Sequence, residues 1–110
     1  MTAIKLKAYP DNTTGNGVFW DSLHGYSDWV FAVSGATAND SFAINVDNSG
    51  DSANMSPAQV QNVDGGAAVT SVVAPGVYRM TKPMPFRCLY ITRSGPGSAT
   101  CSILATGAKA

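Results

Sequence analysis

The chain has 110 residues, no formal net charge and only 13 % charged side chains, against about 25 % in an average globular protein. All seven acids are Asp and there is no Glu, so the residues that build exposed helices are scarce and helix content is expected to be very low. The zero charge argues against a nucleic-acid binder, which needs a basic face, and leaves self-association unopposed by repulsion.

No apolar run is long enough to span a membrane as a helix. The N-terminus MTAIKLKAYPD carries no long apolar core of a signal peptide. Synthesis in a cytoplasm is the expectation, and there two cysteines are more often reduced than bridged.

Residues 2–9 alternate, with Ile4, Leu6 and Ala8 on one face and Lys5, Lys7 and Tyr9 on the other. That pattern predicts a half-buried strand at a sheet edge. Pro10 to Gly17 is a loop of turn formers. Val18 to Trp20 is read as a short strand or a segment packed on the core, and Asp21 to Asp28 as irregular.

Trp29 to Ser34 predicts a strand with Trp29, Phe31 and Val33 on one face. Ser41 to Asp47 alternates cleanly, Phe42, Ile44 and Val46 pointing inward. Asn48 to Pro57 is a polar loop, and Ala58 to Val63 a weaker strand that stops at the turn signal Asp64-Gly65-Gly66.

Ala67 to Val73 is β-prone. Pro75-Gly76 suits the centre of a type II turn, with Gly76 at positive φ. Strands are then expected over Val77 to Thr81, Phe86 to Arg93 and Ala99 to Ala105, the last two joined at Gly95-Pro96-Gly97. The tail TGAKA is expected to be loose. Seven to eight strands at this spacing, with no helical period, predict one all-β domain. Its expected form is an antiparallel β-sandwich or jelly roll, with an extended segment over about residues 1–28; a partly open barrel is the alternative.

No residue pattern makes a convincing catalytic or metal site. The lone His24 lies near Asp21, Ser22 and Asp28, but no nucleophile elbow accompanies it, so a turn or interface histidine is the simpler reading. Asp47 to Asp51 places oxygen ligands alternately, yet Ser52 and Ala58 stand where a calcium loop needs Gly and Glu. No cofactor and no metal are therefore expected, and the chain is not read as an enzyme.

Cys88 and Cys101 fall on consecutive predicted strands. In a hairpin turning at Pro96-Gly97 they sit four positions apart, about 13 Å, too far for a disulfide. Free, buried thiols are expected.

Trp20 and Tyr26, flanked by loop residues, are the aromatics expected to be exposed, whereas Trp29, Phe31, Phe42 and Phe86 fit the core. Arg79 and Arg87, if carried on neighbouring strands, would form a modest basic strip, one half of a protein interface or a solvated face.

These features carry a resemblance. Strands around WVFAVSG and SFAINVD precede Pro75-Gly76-Val77-Tyr78-Arg79. A closing segment follows, with Arg87, Leu89 and Ile91 before a Ser-Gly turn and a Thr/Ser-alternating last strand. Over about residues 29–105 this pattern resembles the small β-sandwich structural proteins of tailed bacteriophages, most of all capsid decoration (cement) proteins. The first 28 residues match no part of it.

The resemblance implies a non-enzymatic virion protein on the capsid surface, a homo-oligomer (dimer or trimer) bound to the major capsid protein. It implies no catalytic or binding residues. From the chain itself, the expected contact elements are Met1 to Gly17, Trp20 to Tyr26 and Asn48 to Pro57, with Trp20, His24, Tyr26, Arg79 and Arg87 as contact residues. The competing reading is a carbohydrate- or receptor-binding module of a phage tail or fibre, with Trp20, Tyr26 and Trp29 against sugar.

Overall fold

Alternation of apolar and polar residues is the dominant local signal, and it produces strands. The computed structural model describes residues 3–8, 18–23, 25–35, 41–47, 55–73, 76–81, 86–94 and 101–109; the side chains of Lys7, Ala8, Gly35 and Cys101 lie outside the description. Every regular element among these residues is a strand: β1 (Ala3–Ala8), β2 (Val18–Trp20), β3 (Tyr26–Gly35), β4 (Ser41–Asp47), β5 (Ser56–Pro57), β6 (Val60–Asn62), β7 (Ser71–Val73), β8 (Gly76–Met80), β9 (Cys88–Ser94) and β10 (Cys101–Lys109).

The strands form two antiparallel sheets. One has the order β1-β10-β3-β8-β6 and the other β2-β9-β4-β5, with β7 also paired to β4. Strands β5 and β7 share one edge of β4: β5 takes Asn45 and Val46, and β7 takes Ser41 to Ala43. The expected all-β sandwich is therefore observed, with ten strands because the middle of the chain is divided into short pieces.

The inward faces are those that the alternation marked. Trp29, Phe31 and Val33 from β3 meet Phe42 and Ile44 from β4 and Leu89 and Ile91 from β9, all buried. Ile103 and Ala105 of β10 and Val60, Tyr78 and Met80 of β6 and β8 complete the layer. Each fully buried large side chain stabilises the fold by about 1.5–3 kcal/mol.

Trp29 is the centre of an aromatic stack. Phe86 lies 5.2 Å from it and Phe31 6.4 Å, both stacked, and Tyr26 meets it edge-on at 6.2 Å. Its indole Nε1–H donates to the Tyr26 carbonyl at 3.2 Å. Gly107, paired with Trp29 across β3 and β10, faces the ring directly.

Three local expectations are corrected. The tail is not loose, since β10 runs to Lys109 and is paired on both sides, to β1 and to β3. Within it, Gly107 has no room for a side chain because the Trp29 indole lies over it.

The closing hairpin is not formed either. Strand β9 pairs with β2 and β4, while β10 pairs with β1 and β3, so the two strands belong to different sheets. Both strands carry an apolar inner face, Leu89 and Ile91 on one and Ile103 and Ala105 on the other. Facing each other across the core buries both faces. Cys88 is thus opposite Asp47 and Cys101 opposite Gly35, in different sheets.

Gly76, finally, does not adopt positive φ. It opens β8 opposite Val33, and the chain changes sheets between β7 and β8. The Asp64-Gly65-Gly66 turn is present: both glycines have positive φ, 113° and 104°. The Asn62 side chain accepts from the Asp64 N–H at 2.8 Å, an Asx turn that fixes the bend.

Candidate functional site

Three surface features gather chemistry-bearing side chains. The first is the corner where the chain leaves β2 for β3. Asp21 Oδ1 accepts hydrogen bonds from the Ser22 N–H at 2.5 Å, Arg87 Nε at 3.0 Å and the Cys88 thiol at 3.3 Å. The Leu23 N–H donates to the Arg87 carbonyl at 3.0 Å, and the Arg87 N–H to the Asp47 carbonyl at 3.0 Å.

Leu23 drops into the core, and Ser22 takes a left-handed φ of 64° to let it do so. That conformation is uncommon for a non-glycine residue; here three bonds to one carboxylate oxygen hold it. The bonds from Arg87, Ser22 and Cys88 push the Asp21 carboxyl below its ordinary 3.8. Burial, and then the Asp21 carboxylate, push the Cys88 thiol above its ordinary 9.0. Cys88 is a free cysteine, covered from solvent, and a poor nucleophile.

The second feature is an open groove at the β6–β8 side of the first sheet, about 370 Å³ in volume. Gln61, Asn62, Val63, Gly65, Arg79, Met80 and Thr81 line it. Arg79 Nε lies 3.6 Å from Asp28 Oδ1, an ion contact too long for a hydrogen bond. The third feature is on the outer face of the second sheet, where Phe19, 41 % exposed, lies against Tyr90 with ring centroids 6.5 Å apart and planes tilted by 54°.

The sequence-derived contact residues fall as follows. His24 lies outside the described residues, as do the stretches 9–17 and 48–54. Trp20 and Tyr26 are half-buried and pack against the core cluster, so neither stands free. Trp29 is fully buried and is not available to a sugar.

Arg79 and Arg87 do not make one basic strip: Arg79 is on β8 in the first sheet, and Arg87 precedes β9 in the second. Each faces its own aspartate, Asp28 and Asp21. Among the described residues no three His, Cys or Asp side chains gather as metal ligands. The pairing of exposed Phe19 with half-buried Tyr90 escaped the sequence reading, although alternation along β2 and β9 places both residues on the face opposite the inward Leu89 and Ile91.

The fold defined here is a two-sheet antiparallel sandwich. No protein-family model matches the chain, and no curated protein matches its sequence. Solved structures do. The SPBc2 prophage-derived protein YomS superposes with a TM-score of 0.69 at 8 % identity, over 97 % of this chain and 95 % of its own. The PBSX exported protein XepA gives 0.73 at 12 % identity over 97 % of this chain, which spans 38 % of the XepA length. Both are phage-derived proteins, and the likeness to them is one of fold.

Proposed function

We propose that the chain is a non-enzymatic phage protein that works by docking, and that its place is on the outside of a capsid, where it acts as a homo-oligomer bound to the major capsid protein. The observation that carries the phage assignment is the near end-to-end match of the fold to a prophage-derived protein. The use made of the polar residues supports a docking role. Asp21, Arg87 and Cys88 tie a strand link to a neighbouring strand. The core is built from large aromatic side chains stacked around Trp29, as suits a protein selected to persist. The apolar Phe19–Tyr90 surface on the second sheet is a natural contact area.

The carbohydrate- or receptor-binding reading, through an aromatic platform, is less well supported. Trp29 is buried, and the Phe19 and Tyr90 rings are tilted rather than coplanar.

Light scattering and co-sedimentation test the proposal. The purified protein is expected to be a closed dimer or trimer. It is also expected to pellet with particles of the encoding phage that lack it. A monomer that stays in the supernatant with such particles contradicts it.

A further inference from the structure

The edges of the two sheets are unequal. Strand β6 closes one side of the first sheet with three residues, and β2, β5 and β7 edge the second with three, two and three. Strand β1 has six, Ala3–Ala8, every one in unbroken register with β10. Among the described residues no strand pairs with its other side. In an antiparallel ladder every second residue turns its N–H and C=O away from a given neighbour. The free side of β1 therefore offers a row of backbone donors and acceptors for one more strand.

The sequence of β1 says which strand fits. Ile4 and Leu6 pack against the core cluster yet are only half-buried. Lys5, between them, is exposed on the opposite face, and Lys7 holds the register position two residues on, opposite Leu104.

A second copy is a poor occupant. Two antiparallel edges related by a two-fold axis keep their outer faces on one side, so the longest registers centre on Lys5 or on Leu6, and each pairs five residues. The first sets Lys5 against its own copy. The second sets position 5 against position 7, lysine in both. Like charges directly opposite each other are destabilising, and lysines on an edge discourage self-pairing.

We infer that the free edge of β1 is a docking site for an extended segment of another protein, one that alternates acidic and apolar residues. The backbone row supplies the ladder, the carboxylates of the segment stand opposite Lys5 and position 7, and its apolar side chains cover Ile4 and Leu6. The inference rests on the docking reading and adds to it the element used and the chemistry of the partner. It leaves self-association to other surfaces.

The test is a titration of the isotope-labelled full chain with acetylated and amidated peptides at up to millimolar concentration, followed by amide NMR. The probes are an alternating Val/Asp peptide, its Val/Lys counterpart, a Val/Asp peptide of the same composition with the alternation broken, and a peptide of the β1 sequence AIKLKA. The alternating Val/Asp peptide is expected to shift the amides of Ala3 to Ala8 and to slow their hydrogen exchange. Lys5→Glu, confirmed folded by an unchanged melting profile, is expected to weaken that binding by about threefold or more and to admit the Val/Lys peptide. Three results overturn the inference: the alternating Val/Asp peptide leaves the β1 amides unmoved, any of the other three peptides binds the wild type as well, or Lys5→Glu binds the Val/Asp peptide unchanged. Peptide binding is read without phage particles, so a failure of the protein to pellet with particles counts against the docking reading alone.

Discussion

Replacing Gly107 by Ala adds one methyl group at the tightest point of the core. A Cβ built there would lie 2.7 Å from Trp29 Cζ2 and 2.8 Å from both Cε2 and Cη2. Carbon atoms in contact rest at about 3.5–4.0 Å, so the indole or the β10 backbone must yield by roughly 0.8 Å. The indole has little room to do so. It is fully buried, stacked on Phe86 and Phe31, and held through Nε1 by the Tyr26 carbonyl.

Overpacking of this kind costs about 1–3 kcal/mol. The loss of glycine's backbone freedom gives back about 0.5–1 kcal/mol. A net destabilisation of about 1–2 kcal/mol follows, which for a domain of this size lowers Tm by roughly 4–10 °C. Thermal unfolding followed by near-ultraviolet circular dichroism, to which packed aromatic side chains contribute, reads it. Trp29→Phe removes the clashing benzo ring, so it costs less in the Gly107→Ala background than alone, and a double-mutant cycle measures the difference. If Gly107→Ala melts at or above the wild-type temperature, the packing argument for this glycine is wrong.

Other consequences are direct. Asp21 has its folded pKa depressed, so the stability it contributes is complete above its ordinary 3.8 and is lost as pH falls through the lower folded value. Asp21→Asn is expected to be less stable than wild type near neutral pH, and the gap is expected to narrow as pH falls below the ordinary 3.8, as read by urea midpoints at each pH. Cys88 in the folded protein is expected to react with Ellman's reagent far more slowly than in urea; Asp21→Ala, which removes the carboxylate that accepts from the thiol and raises its pKa, speeds the folded-state reaction several-fold. Phe86→Ala, which empties one side of the Trp29 stack, is expected to cost about 3–5 kcal/mol by the same urea titration.

Alternation made the strand faces legible. Ile4 and Leu6, Trp29, Phe31 and Val33, and Phe42 and Ile44 all turn where the two-residue period put them. The pairing was not legible. A turn rich in Pro and Gly bends the chain equally well within one sheet or from one sheet to the other, and here the chain changes sheets both between β7 and β8 and between β9 and β10. What decides is the apolar face on each side of the turn, and that depends on strands far away in sequence. The TGAKA tail misled for a related reason: small residues signal looseness only when no large neighbour needs the space, and Trp29 needs it.

The surface clusters were the least legible part. Asp21 and Arg87, and Asp28 and Arg79, are far apart in the chain and meet only through the register of β2 on β9 and of β3 on β8. The sequence did supply the arginines as contact residues. It offered no sign that each would be matched with its own aspartate on a different sheet.

The central claim is that this protein is part of a phage particle. Particles of the encoding phage, banded on a caesium chloride gradient and analysed by quantitative mass spectrometry, test it most directly. The account predicts the protein in the particle band, in a fixed whole-number ratio to the major capsid protein and released by mild denaturant before the shell opens. Particles that carry the capsid protein in full but none of this chain, with all of it left in the soluble lysate, would contradict the account.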